Sequence, residues 1–191
     1  MQQYMVKELM VPLAEYATVS EDATLYETVM ALEKAQQEFD QTRYRHRAVL
    51  VYGKQKNIVG KVSQLDILKS LEPKYKQFDD SKSISRFGYS PKFLKSMLTQ
   101  FSLWDKPLSD ICKKASGLIV KDFMYTPTEG EIIEETATLD EAVHQLVMGH
   151  HQSLLVTGGG QIVGILRVTD VFKEVCNIIK TCEVDITSSD T

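Results

Sequence analysis

A chain of 191 residues has room for one domain with an addition or for two small ones. With 43% hydrophobic and 25% charged residues it falls outside the disordered, collagen-like and disulfide-scaffold classes. A net charge of −4 argues against nucleic acid or an anionic membrane as partner of the whole chain, and no apolar run is long enough to cross a bilayer or form a signal core, so a cytoplasmic protein is expected.

In chain order, the first elements to read are the segment Val6-Lys7-Glu8-Leu9-Met10 and a short strand around Thr18-Val19-Ser20. Thr24-x-x-Glu27 is a capping box, and Leu25, Val29, Leu32 and Phe39 continue from it at helical spacing. Ala48 to Tyr52 is a β-type apolar run, Gly53-Lys54 a turn, Ile58 to Val62 the returning strand, and Gln64 to Leu71 a closing helix.

From Pro73 to Gly117 the composition changes: nine lysines and arginines stand against four acidic residues, with seven of the sixteen aromatics. Ser90-Pro91 is an N-cap followed by proline, and Phe93, Met97, Phe101 and Trp104 follow as one apolar stripe ended by Pro107. A structureless loop of this length is improbable in a compact protein, so the segment reads as an inserted helical arm. The helical spacing accounts for the aromatics as packing, so nucleic acid is not expected as their partner.

The opening elements then return. Val120-Lys121-Asp122-Phe123-Met124 and Ala137-Thr138-Leu139-Asp140-Glu141-Ala142-Val143 echo Val6 to Met10 and Ala23 to Val29 at an offset of 114 residues. A helix follows from Thr138-x-x-Glu141, with Leu139, Val143 and Leu146 or Val147 on its apolar face and Gly149 at its end. After a slip of about nine residues near Gln36 to Arg45, His46 to Val51 matches His151 to Val156, Ile58-Val59-Gly60 matches Ile162-Val163-Gly164, and Asp66 matches Asp170. Gly158-Gly159-Gly160 turns the second hairpin, and Val171 to Ile179 is the last helix. The tail after Thr181 reads as frayed. Cys112, Cys176 and Cys182 are an odd number without CxxC spacing, which fits a reducing compartment and assigns none of them a role.

The ordered series Val-Lys-x-φ-Met, Thr18-Val19-Ser20, Ala-Thr-Leu-x-Glu-x-Val, hairpin, and Gly60-x-x-Ser63-x-x-Asp66, present twice, resembles the CBS domain, and the repeat resembles the two-copy CBS pair, or Bateman module. The resemblance implies an α/β (α+β) fold of two β-α-β-β-α units, residues 1–72 and 118–180, packed about a pseudo-twofold axis; the 73–117 segment between them, an inserted helical arm, lies outside the family pattern, and 181–191 is the tail. It also implies a regulatory module whose two clefts take adenosine ligands such as AMP, ADP, ATP or S-adenosylmethionine, the motif aspartate holding the ribose.

The chemistry supports that motif. A cis-diol presents two donors side by side and a carboxylate two acceptors, so Asp66 and Asp170 could each hold one ribose, in a helical first turn that favours a nearby phosphate. Ser63-x-x-Asp66 is equally an ordinary capping box. In the second copy, Gly164-Ile165-Leu166-Arg167-Val168-Thr169-Asp170, Arg167 stands where the family has Ser or Thr, with Thr169 a partial substitute for the hydroxyl and Arg167 itself able to reach phosphate. By the family's mixing of copies, Asp170 would work with Ala17, Thr18, His46 and Arg47, and Ser63 and Asp66 with Ile132, Ile133 and His151. His46-Arg47 resembles the basic pair that faces phosphate in some members; with Arg43 and Arg45 it reads equally as a solvated edge. An arginine fork on phosphate outweighs one hydroxyl, so the Asp170 site is expected to be the tighter of the two.

Adjacent His150 and His151 point to opposite faces of a strand and have no ligand partners at metal spacing, and His144 reads as a surface residue. No nucleophile-base pair, Walker loop or Rossmann glycine pattern suggests an enzyme. The two functions left are a ligand-sensing module acting on an unknown downstream protein, with no prosthetic group, and a scaffold that binds no nucleotide and works through the inserted arm. In either case a homodimer is expected, because a 45-residue arm cannot cover its own apolar stripe.

Overall fold

The computed structural model describes residues 4–38, 45–78, 90–105 and 110–181. Phe39, Arg43, Pro107, Cys182 and the tail after Thr181 lie outside the described residues. The chain forms two compact units, one made of the residues up to Tyr16 with those from Pro127 onward, the other of Ala17–Gln37 with His46–Thr126.

The second of these carries the first repeat. Strand β2 (Thr18–Ser20) pairs in parallel with β3 (Ala48–Tyr52), which pairs antiparallel with β4 (Ile58–Ser63). Between β2 and β3 runs helix α2 (Leu25–Glu38), and after β4 comes α3 (Gln64–Ser70). Thr24 starts α2 as its spacing predicts: its N–H donates to Glu27 Oε2 at 2.7 Å and Glu27 N–H returns to Thr24 Oγ1 at 3.2 Å. Val49, Leu50 and Val51 are fully buried, the pattern of a central strand covered on both faces. Leu32 packs on Ala17 and Val49, whereas Val29, an expected core position, is 40% exposed and Thr28 takes the buried place.

The other unit carries the second repeat in a four-stranded sheet of order β1-β7-β6-β5: β1 (Val11–Pro12), β5 (Ile132–Glu134), β6 (Ser153–Gly158) and β7 (Gln161–Arg167). Here α1 (Val6–Leu9), α6 (Leu139–Gly149) and α7 (Val168–Thr181) pack on a core of Val6, Ile133, Leu139, Ala142, Leu146, Leu154, Val156, Leu166 and Val171. Gly159 and Gly160, with φ of 59° and 78°, turn the β6–β7 hairpin in a conformation that side chains resist. Gly149 is still helical; His150, at φ 52°, is the left-handed cap, and a Cβ on Gly149 would fall 2.1 Å from the His151 ring, which would have to move aside. Helix α7 starts three residues earlier than its apolar spacing suggests, at Val168, whose N–H donates to the Gln152 carbonyl at 3.0 Å.

The two leading segments are exchanged between repeats. Val6, from the first copy, is buried among residues of the second, and Val120, from the second, is buried against Val51 and Val62 of the first. The same three backbone bonds secure both segments: Val6 N–H to Ala137 O and Val120 N–H to Ala23 O, Lys7 to Glu135 and Lys121 to Glu21, Leu139 to Tyr4 and Leu25 to Leu118, all between 2.8 and 3.0 Å. A repeated sequence that begins each copy therefore completes the opposite one.

In the inserted segment, α4 (Pro91–Gln100) is capped by Ser90, whose Oγ accepts from Phe93 N–H at 3.2 Å, and α5 (Ile111–Gly117) precedes the second repeat. The expected stripe breaks at its last member. The helix ends at Gln100, and Trp104 lies beyond a turn at φ 62°. Its backbone N–H donates to Glu72 Oε2 at 2.7 Å and its indole N–H to Tyr75 Oη at 3.0 Å. Trp104 thus anchors the segment to the end of the first repeat, and α4 leaves Phe93, Leu94 and Leu98 nearly half exposed.

Candidate functional site

The two copies of the Gly-x-x-Ser/Arg-x-x-Asp motif occupy equivalent places, at the end of the returning strand and the first turn of the closing helix, but differ in what holds the carboxylate. In the first copy, Asp66 lies half-buried in the first turn of α3. Its Oδ2 accepts from the Ser63 backbone N–H at 2.8 Å and from the Ser63 hydroxyl at 2.6 Å, while Asp66 N–H donates to Ser63 Oγ at 3.2 Å. This is the capping box that the spacing allows, and it commits one carboxylate oxygen; among the described residues Oδ1 accepts no hydrogen bond.

In the second copy no hydroxyl is available at the cap. Arg167 turns its guanidinium onto Asp170 instead, Nε to Oδ2 at 2.5 Å and Nη2 to Oδ1 at 2.6 Å. Both side chains are buried, at 7% and 8% exposure. A planar fork meeting both carboxylate oxygens is the strongest pairing these groups make, and in a buried setting solvent screens it little. Arg167 is therefore directed at its own motif. Thr169 is half-buried one residue before Asp170, and no bond from its hydroxyl to that carboxylate is present.

The remaining candidate residues fall as follows. Ala17 is buried and its carbonyl accepts from Leu50 N–H at 2.9 Å; Thr18 follows on β2, half-buried, opposite Leu50. His46 and Arg47 separate: His46 is fully buried, its carbonyl accepting from Gln36 Nε2 at 2.9 Å, whereas Arg47 is exposed. The Arg47 carbonyl accepts from Gln64 N–H at 3.1 Å, which ties it to the start of α3 beside Ser63, just as Gln152 is tied to the start of α7. Ile133 on β5 is a core residue, Ile132 at the start of that strand is 37% exposed, and Gln145 Nε2 holds the turn leading into it by donating to the carbonyls of Gly130 and Ile132 at 2.8 and 2.9 Å. His151 is half-buried against Gly149. Among the described residues no group of three side chains has the makings of a metal site.

Sequence reasoning attached the motif glycines to the ligand and overlooked their packing role. A Cβ on Gly164 would stand 2.6 Å from the Val11 carbonyl oxygen and 2.9 Å from Met10 Sδ; one on Gly60 would stand 2.6 Å from Met124 Sδ and 3.1 Å from the Tyr125 carbonyl oxygen. Each repeated glycine thus admits the repeated methionine segment of the other copy. The joint recurrence of Met10 with Gly164 and of Met124 with Gly60 was the available signal. The Arg167-x-x-Asp170 spacing, three residues apart, was the signal for the ion pair.

No helix among the described residues is long and apolar enough to cross a membrane. The family model described as CBS domain matches residues 6–73 and 120–177. Among solved structures, CBSX2 in complex with AMP is similar at 18% identity and a TM-score of 0.57, over 92% of this chain and 98% of that one. The CBS domain of a bacterial CNNM/CorC family Mg2+ transporter in complex with ATP is similar at 17% identity and a TM-score of 0.55, over 90% and 87%. A putative acetoin utilization protein, AcuB, from Vibrio cholerae is similar at 17% identity and a TM-score of 0.57, over 94% and 95%. No curated protein sequence matches the chain.

Proposed function

The chain belongs to the CBS-domain family, and we propose that it is a regulatory module that binds an adenosine nucleotide in the cytoplasm and passes the binding event to a partner protein, without catalysis of its own. The observation that carries this reading is Asp66, a half-buried carboxylate oriented through one oxygen by Ser63 and keeping the other for a ribose hydroxyl. Structural relatives whose complexes hold AMP and ATP support the adenosine class. Thr18 and exposed Arg47, assigned with Asp170 by the family pattern, lie in the same compact unit as Asp66, with the Arg47 carbonyl bonded to Gln64 N–H beside Ser63, and are candidates for the further contacts of such a ligand. A nucleotide that binds one arrangement of the chain better than another shifts the population by that difference, which is all that signalling requires.

A thermal-shift screen with AMP, ADP, ATP and S-adenosylmethionine tests the reading. At about 100 times the dissociation constant, binding adds ~2.7 kcal/mol, a rise in melting temperature of about 5 to 11 °C at this chain length. Absence of any shift at millimolar ligand refutes it.

We further propose a homodimer. Between α6 and α7 lies a mostly apolar groove of about 550 Å³, walled by Leu139, Val143, Val147, Val175, Ile178 and Ile179 with Asp140 and His144 also on its lining. A second copy is the proposed cover, and sedimentation at micromolar concentration showing only a species of about 22 kDa would count against it. The exposed apolar side chains of α4 favour one second reading, a scaffold acting through that helix. An unshifted melting temperature with every nucleotide, together with partner capture lost on Phe93→Ser, would select it.

A further inference from the structure

We propose that Arg167 closes the second-copy motif to ribose, so that the chain holds one nucleotide, at the Asp66 motif, and that Arg167 is the residue that sets this stoichiometry. The inference rests on the nucleotide reading above and reverses the ranking expected from the sequence, in which the Asp170 site was to be the tighter.

A ribose hydroxyl needs a carboxylate oxygen open to receive it, and on Asp170 each oxygen already accepts a charge-assisted bond from one buried guanidinium, Nε and Nη2 at 2.5 and 2.6 Å. A ribose would have to displace that fork from two groups that are both buried, Arg167 being only 6% exposed as a residue. Two neutral hydroxyls are poor competitors for a charge-assisted bidentate pair. Asp66 presents the opposite case. Ser63 engages only Oδ2, and the carboxylate is half-exposed. The difference traces to one residue: serine at the cap organises the aspartate through one oxygen, while arginine at the same position reaches three residues on and engages both.

The test is titration calorimetry of the full chain with AMP and with ATP, each variant first checked for native circular dichroism. The wild type is expected to bind one nucleotide per chain, Asp66→Ala to lose about 10- to 100-fold in affinity, and Asp170→Ala to stay within about threefold of wild type. Arg167→Ser, which rebuilds the first-copy capping box, is expected to raise the stoichiometry to two; if it does not fold, Arg167→Thr is the second variant and the Asp66→Ala and Asp170→Ala pair still decides. Two sites in the wild type, one site in folded Arg167→Ser, or loss of binding in Asp170→Ala with retention in Asp66→Ala overturns the inference while leaving the nucleotide reading intact. Absence of heat with either nucleotide in the wild type and in Arg167→Ser overturns that reading and the inference with it.

Discussion

The Arg167–Asp170 pair makes a quantitative prediction about stability. Its two side chains, at 7% and 8% exposure, have given up most of their hydration, and the fork of 2.5 and 2.6 Å bonds joins them in that setting. Removing one partner from a buried pair costs about 3–5 kcal/mol, because the other loses its opposite charge in the interior. Removing both lifts that penalty. Arg167→Met and Asp170→Ala are therefore each expected to cost about 3–5 kcal/mol, about 6 to 20 °C in melting temperature at this length, and the double variant no more than the worse single. The coupling energy should then be at least the smaller single cost, about 3 kcal/mol. Urea titrations of the four proteins followed by far-ultraviolet circular dichroism measure it, and Trp104, in the other unit, supplies a fluorescence signal showing whether the loss is confined to the unit that holds the pair. Repeating the cycle at about 1 M salt, where the screening length is about 3 Å, should leave the coupling nearly unchanged. Additive single costs, with a coupling below about 0.5 kcal/mol, would show that the pair is solvated in solution and would remove the physical ground for a closed motif.

The glycines that receive the exchanged segments give a second prediction: Gly164→Ala must push back the Val11 backbone and is expected to cost about 1–3 kcal/mol, while Gly60→Ala meets Met124 Sδ first and should cost less; thermal melts rank the two. The exposed pair Lys121–Asp22 at 3.1 Å should contribute little, so Asp22→Asn is expected to leave the urea midpoint unchanged, and a clear downward shift would contradict that. Glu27 is held below the ordinary carboxyl range, chiefly by the Thr24 backbone N–H and then by its hydroxyl. The stabilisation of the charged form is present above the unfolded carboxyl value and lost as pH falls through the lower folded one. A carboxyl titration followed by NMR should therefore show Glu27 below a reference glutamate, and Thr24→Val should relieve only the hydroxyl's share.

The sequence by itself determined the repeat, the order of elements in each copy and the family, because those depend on local periodicity and on caps whose partners sit three residues apart: Thr24 with Glu27, Thr138 with Glu141, Ser63 with Asp66. Even the ion pair at Arg167 was within reach of such local reading, although its burial was not. What only the tertiary structure decided were the relations between residues distant in the chain. The exchange of Val6 and Val120 between repeats, the methionine seated on each motif glycine, and the anchoring of Trp104 by Glu72 across the inserted segment leave no local period to read. The same reason separates His46 from Arg47: adjacent residues of an extended segment alternate in direction, and only the packing around them settles which side is core. The identity of the closing side chain is written at position 167, but its effect is not. A guanidinium seeks phosphate in water and its own aspartate in a buried turn, and burial is a property of the folded chain.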